Sequence, residues 1–591
     1  MAKQNALINV EITGVRNSIK TNIEAHLGTL PNTTAERSAF IFNSRNNIQQ
    51  AMQSLGYYQS SISTKLSKNT KRPWQFKVNV TQGLPTIISS VSIIVNGEMR
   101  FNPVYINYSL SSKIKAHTQL NHGLYTKTKS QILGIALAEG YFDAKYSTAQ
   151  ILINRQQNKA DIKLVLESGP RYKFGHVSFS GQTIDQHILQ SLLPFQLHQP
   201  YSADKVAELN QSLSQTNYFR SIKVLPQIDN AKDGEVPIQV DLQNKPSHLI
   251  DLGLGADIGS SSERNVDPRI RLTWRTPQIN RHGHSQETIS EWSPDRPKLQ
   301  TTYTIPLTHP INDQLKLQLG LLRDKYGVIQ DLNDDGSYSS NGKIESELYL
   351  LGLGRQQKRS NDWIINYSIK SITEKYTQQD VKYSPRFNLL GLSFSKITRS
   401  DNSYDPKFGF RQSYQLDYST PLLGSTVRLA RLQAQLKWIT TPFDRHRFVS
   451  RLNLGVNLVA DDDITRVAPS LRYFAGGDQS IRGYGYQELG PYINYIDSKG
   501  GKHRQVVGGR YLAVGSIEYQ YYVTPHWRLA TFVDAGNAYD NNQFKPLIST
   551  GGGAHWISPI GPIKLDVGIG VNNPETESRK WRIHLTMGGE L

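Results

Sequence analysis

Three charged residues have the types and spacing to meet in one confined place. Arg482 is the lone arginine of a glycine-dense stretch, GGDQSIRGYGYQELGP (476–491). Downstream, YLAVGSIEYQYY alternates so that Ile517, Tyr519 and Tyr521 share one face and Glu518 takes the other. In WRLATFVDAG, Leu529, Thr531 and Val533 point one way and Asp534 the opposite way. A guanidinium can join two carboxylates through charge-assisted hydrogen bonds, bidentate to one of them, a geometry that lysine lacks. The chemistry on offer is ionic tethering; the competing reading is a solvated arginine in a mobile loop.

Other polar clusters fall short of a reactive site. RHGH (281–284) has no carboxylate or thiol spaced with it for metal binding and reads as a turn between strands. DLNDDG imitates the start of a calcium loop from Asp331, but Gly342 stands at the twelfth position, where a bidentate acid is required. The GLG runs lack the strand-to-helix setting of a nucleotide site. The expectation is a non-enzyme with no metal and no cofactor.

Composition narrows the class. The 591 residues include 30 Tyr and 45 Gly but only 4 Met and no Cys, so disulfides and thiolate chemistry are excluded. A net charge of +18 suits an anionic membrane surface as well as nucleic acid, and the Lys and Arg are dispersed, which argues against nucleic acid. No run of eighteen apolar residues occurs, so no transmembrane helix is expected. A mean hydropathy of −0.48 still permits a barrel, whose strands show only alternate residues to lipid. The opening MAKQNALINVEITGV has no basic-then-apolar secretion signal, so an exported protein would have lost its leader.

The elements that must position the three charges follow from texture. Up to residue 246 a repeat of roughly eighty residues recurs three times, marked by SLGYYQSSISTKL, AEGYFDAKYSTAQILI and QTNYFRSIKVLPQI. Each unit reads strand, helix, helix, strand, strand, with an aromatic pair (Tyr57-Tyr58, Tyr141-Phe142, Tyr218-Phe219) closing the second helix. This order and mark resemble the POTRA domain, a polypeptide-transport module, and place modules at 1–83, 84–169 and 170–246. After Pro246, period-two alternation runs to the end, as in HLIDLGLGADI and RFVSRLNLGVNLV. A soluble sandwich would bury the charges opposite each apolar face, whereas a barrel hydrates them in its lumen. Residues 247–591 are therefore predicted to be a transmembrane β-barrel of about sixteen antiparallel strands. The fold class is α+β repeats followed by an all-β barrel.

POTRA repeats ahead of a barrel resemble the outer-membrane insertases and transporters that include the barrel assembly machine and the two-partner secretion transporters. The most specific match is Ile481-Arg482-Gly483-Tyr484, which resembles the family's [VI]RG[FY] motif in the sixth extracellular loop. GGRYLAVGSIEYQ with Glu518 resembles the family's twelfth strand. FVDAGNAY, with Phe532, Asp534 and Gly536, resembles the thirteenth, and YDPKFGFR (404–411) resembles its Asp-Pro-x-x-Gly element. The nearest likeness is to the translocation-and-assembly-module branch. It implies a bacterial outer-membrane location with periplasmic modules and a role in inserting autotransporters and other barrel proteins. It also implies an inner-membrane-anchored TamB-like partner bound through the POTRA domains, unfolded barrel clients and outer-membrane lipid, with no nucleic acid.

Such work would need a lateral seam between the first and last strands, at which a client strand adds by β-augmentation. The first side is predicted to hold Ile250, Leu252, Gly253, Leu254 and Gly255. The second holds Ile583, Leu585, Met587, Gly588 and Gly589, the terminal glycines weakening pairing and permitting a kink. Tight lumen space is the alternative reason for glycine at these places. The rival function is a two-partner conduit exporting a polypeptide through the lumen; that group resembles this architecture with two modules and a plug helix.

Overall fold

The computed structural model describes residues 7–68, 73–259, 266–293, 297–333, 336, 338–400, 405–540, 544–558, 561–572, 581–587 and 590. Two compact units divide the chain: residues 1–180, 193–211 and 222–241 in one, and 181–192, 212–221 and 242–591 in the other.

Ahead of residue 246 the chain forms three-stranded sheets, each with a pair of helices between its first and second strands in chain order. In the first module, Ile8–Thr13 runs parallel to Trp74–Thr81, which pairs antiparallel with Ser61–Ser67. The helix Thr34–Ser54 begins at a capping box in which Thr33 and Glu36 satisfy each other's backbone N–H groups. The aromatic marks have a backbone cause. Gly56 and Gly140 take positive φ after the second helix of their modules, and the N–H groups of Tyr57 and Tyr141 bond back to Met52 and Ala136 carbonyls. These are left-handed helix stops, which glycine adopts at least cost. In QTNYF, Asn217 takes the same left-handed position with φ 61, so the signal is a stop followed by an aromatic rather than Gly-Tyr as such.

In the second unit, alternation produces a closed ring of sixteen antiparallel strands. They are β1 Leu249–Gly259, β2 Val266–Thr276, β3 Ser285–Trp292, β4 Lys298–His309, β5 Asp313–Leu332, β6 Tyr338–Lys358, β7 Ile364–Gln378 and β8 Arg386–Arg399. The ring continues with β9 Phe408–Ser419, β10 Leu429–Phe443, β11 His446–Leu458, β12 Tyr511–Thr524, β13 Trp527–Tyr539, β14 Leu547–Ser558, β15 Gly561–Gly570 and β16 Trp581–Met587. Ile517 and Leu529 are 65% and 57% exposed on the outer face, while Asp534 and Arg528 are fully buried inside. That apolar-out, polar-in parity is what lipid on one side and a polar lumen on the other require. Among the described residues no helix is long and apolar enough to cross a membrane.

Leu249 and the starts of the odd-numbered strands define a near rim; the other end is the far rim. The sixth far-rim connection, 459–510, is the long one, and it contains a hairpin, Tyr492–Ile496 with Lys502–Val506, that pairs with the projecting end of β5.

Candidate functional site

The sixth loop folds back into the lumen rather than out from it, and it is fastened along its length. Ser470 donates its backbone N–H at 3.3 Å and its hydroxyl to the buried carboxylate of Glu374 on β7, which also accepts from Ser346 on β6. Arg472 donates to the carbonyls of Val467 at 2.7 Å and Val507 at 2.9 Å, so one guanidinium holds both arms of the loop together. Ile481 and Tyr484 pack with Ala475, Val514 and Leu547, and the Tyr484 hydroxyl donates to the Asn572 carbonyl at 2.6 Å.

Arg482 lies at the centre of this path, its side chain 4% exposed. Its Nε donates to Asp534 Oδ2 at 2.9 Å and its Nη2 to Asp534 Oδ1 at 2.8 Å, a bidentate pair, while Nη1 reaches Glu518 Oε2 at 2.5 Å. The Arg482 backbone N–H also donates to Asp534, at 3.0 Å. The guanidinium lies over the Phe532 ring, 3.3 Å from its centroid, where the ring's negative face adds cation–π attraction. Gly483 passes so close to β15 that a Cβ there would sit 2.5 Å from the Gly570 nitrogen. Gly536 takes φ +150, and a Cβ on it would stand 2.2 Å from the Ala513 carbonyl oxygen. Both glycines are therefore sterically required.

Parity reasoning singled out Glu518 and Asp534 but missed their supporters. Ser516 donates to Asp534 at 2.6 Å, Gln520 supports Glu518, Asp566 stands 3.4 Å from Arg482 Nη1, and Arg451 is 3.6 Å from Asp534. All of these occupy lumen-facing positions of β11, β12 and β15, so the same period-two rule would have found them.

The loop also grips the last strand. The His584 ring is 2.7 Å from the Arg482 carbonyl, and Arg582 pairs at 3.1 Å with Glu488 of the same loop. These two residues belong to the seam. Among the described residues, β1 and β16 pair through Asp257–His584, Ile258–Ile583 and Gly259–Arg582 only, whereas β1 pairs with β2 from Leu249 to Ile258. Leu585, Thr586 and Met587 keep their partners on β15 but have none on β1. Ile250 and Leu252 stand 68% exposed on the outer face of the near half, as does Met587 at 58%. Leu254 and Gly255 pair with Ile270 and Arg269 of β2. A Cβ at Gly253 would meet the Arg271 Cβ at 3.6 Å and the Arg271 carbonyl oxygen at 3.9 Å, both ordinary contacts, so crowding does not demand glycine there. Gly588 and Gly589 lie outside the described residues.

A second ionic cluster, which the sequence reading did not assemble, lies near the starting ends of β11 and β13. Glu590 is fully buried and accepts from Arg447 at 3.0 Å, Arg528 at 2.9 Å and Lys564 at 2.9 Å. Asp405 bridges the same two arginines at 2.8 and 3.0 Å and accepts from the Tyr522 hydroxyl at 2.7 Å. Asp405 is the acid of the Asp-Pro-x-x-Gly element, whose opening Tyr404 lies outside the described residues.

A sixteen-stranded lipid-facing barrel with an arginine-pinned inward loop defines an outer-membrane protein of the insertase and transporter class. Residues 267–591 match the Omp85 superfamily domain, and the chain belongs to that superfamily. Residues 9–82 match the first POTRA domain of TamA, and 172–245 match a POTRA family described as a surface antigen variable number repeat. The protein is thus a TamA-like Omp85 member. Among solved structures it resembles BamA from Haemophilus ducreyi lacking POTRA domains 1–3. That match has a TM-score of 0.64 at 15% identity and covers 84% of this chain and 99% of that one. CdiB from Escherichia coli matches with a TM-score of 0.48 at 12% identity, covering 93% of this chain and 98% of that one.

Proposed function

We propose that the protein is an assembly factor that inserts β-barrel proteins, autotransporters among them, into the outer membrane by offering strand edges at the β1–β16 seam. The observation that carries this reading is the three-pair closure. An unpaired backbone group facing lipid costs several kcal/mol, so a half-open seam is a standing invitation to a client strand. The work is mechanical, with no covalent step. A TamB-like partner docks on the POTRA modules, whose sheet edges also receive unfolded clients in the periplasm. The rival conduit reading requires a clear lumen, and the sixth loop bound to β6, β7, β12, β13 and β16 argues against one. Depletion followed by comparison of outer-membrane proteomes tests the proposal. Several barrel proteins should decline together. Loss of one secreted product with barrel proteins unchanged would favour the conduit.

A further inference from the structure

The seam stops pairing abruptly, and the residue just beyond β16 explains where the strand end goes. The observed register is Asp257–His584, Ile258–Ile583 and Gly259–Arg582. Continued toward the near rim, the same register sets Leu254 against Met587 and Asp251 against Glu590. Alternation puts both acids of that last pair on the lumen side. They do not meet. Asp251 instead joins Arg275 of β2, which also holds Glu287 of β3 at 2.6 Å. Glu590 lies among Arg447 of β11, Arg528 of β13 and Lys564 of β15, its side chain fully buried.

We propose that Glu590 is a positioning residue that holds the end of β16 inside the barrel and keeps the near half of the seam unzipped. Two terms act in the same direction. Among the described residues the socket presents Arg447, Arg528 and Lys564, with Lys437 of β10 also acting on the site, beside the acid Asp405, so it stabilises an added carboxylate. Removal of that carboxylate leaves buried positive charge under-compensated, which is strongly unfavourable. Zipping, meanwhile, would place Glu590 directly opposite Asp251, and like charges facing across a ladder are destabilising. The nearest relief there, Arg275, already serves two carboxylates. Extension of the seam therefore requires loss of the socket contacts and gain of a repulsion. The open half-seam is thus written into charge. Its consequence for clients rests on the proposed insertase function, but the position of the strand end does not.

The chain contains no cysteine, so engineered pairs report cleanly. In isolated outer membranes, Leu254→Cys with Met587→Cys should crosslink slowly, while Ile258→Cys with Ile583→Cys crosslinks readily. Adding Glu590→Gln should raise the first rate about tenfold and leave the second unchanged, and Asp251→Asn should move it the same way by less. Asp251 is exposed, so its variant reads the repulsion without disturbing the socket. Heat-modifiable gel mobility checks independently that the barrel has folded. Equal Leu254–Met587 rates with and without the two substitutions would overturn the proposal, as would failure of the Ile258–Ile583 pair in a folded barrel. These rates are read without any client. A wrong function would therefore leave them standing, and a wrong latch would leave client assembly to be judged separately.

Discussion

The lumen holds two ionic knots of opposite polarity. At the tether one cation, Arg482, is held by carboxylates of β12 and β13. At the near-rim socket one anion, Glu590, is held by cations of β11, β13 and β15. β13 serves both, through Asp534 and Arg528, so a single strand carries an acid for the loop and a base for the chain end. The held groups differ in kind. Arg482 is fixed by a bidentate pair, a ring face and its own backbone N–H, all of which must break together. Among the described residues, Glu590 is held beyond the last strand by side-chain contacts to Arg447, Arg528 and Lys564. The first arrangement suits permanence and the second suits exchange.

That contrast can be broken most forcefully at the tether. Arg482→Ala strands Asp534 and Glu518 as buried charges and should cost about 3–5 kcal/mol, read as a lower unfolding midpoint in denaturant. Arg482→Lys should lose most of the same stability, because an ammonium cannot reproduce the bidentate fork. If Arg482→Ala combined with Asp534→Ala costs the sum of the two single changes, the pair is not the tether described above; a double-mutant cycle should instead return about 1–3 kcal/mol of coupling. Gly483→Ala should displace the loop from β15 and cost about 1–3 kcal/mol by overpacking.

The socket should yield less. Glu590→Gln is expected to lower the unfolding midpoint by less than Arg482→Ala does, because the strand end can relocate to the seam. Equal losses at the two knots would end the distinction between a fixed and an exchangeable contact.

The smallest effect concerns the far-rim hairpin. The His503 ring lies 2.6 Å from Asp331 and 3.1 Å from Asp497, and hydrogen bonding to Asp497, then Asp331, raises its pKa above the ordinary value near 6.5. A raised histidine contributes stability that is complete below its unfolded pKa and disappears as pH rises through the higher folded one. Hydrogen exchange at residues 502–506 should therefore quicken above neutrality relative to pH 5.5, beyond the intrinsic pH dependence, and His503→Gln should abolish that excess.

The fold was legible because its signals are local and periodic. The period-two face of Ile517, Tyr519 and Tyr521 located Glu518, and the three recurring aromatic pairs marked the modules. The socket was harder to foresee because its members come from distant segments: Asp405, Arg447, Arg528, Lys564 and Glu590. Parity shows that Arg447, Arg528 and Lys564 face inward but not which of the many inward charges are neighbours; that depends on strand stagger around the ring. Asp405 and Glu590 lie outside the strands, where parity does not reach. The kink expected at Gly588-Gly589 falls outside the described residues, and the burial of Glu590 has no local signal because its partners lie on other strands.

The long strap through the lumen also bears on the order in which the molecule can be made. Its anchors include Glu374, which precedes it in the chain, and Glu518, Asp534 and Arg582, which follow it. Threading a bulky, hydrogen-bonded loop into a finished ring would expose Arg482 and its partners to repeated desolvation. Laying it against the growing inner wall lets each strand meet its anchor as it is added. The strap then acts as a mandrel, a former around which the wall is curved, and the last strand is brought to the first partly by the loop that holds Arg582 and His584.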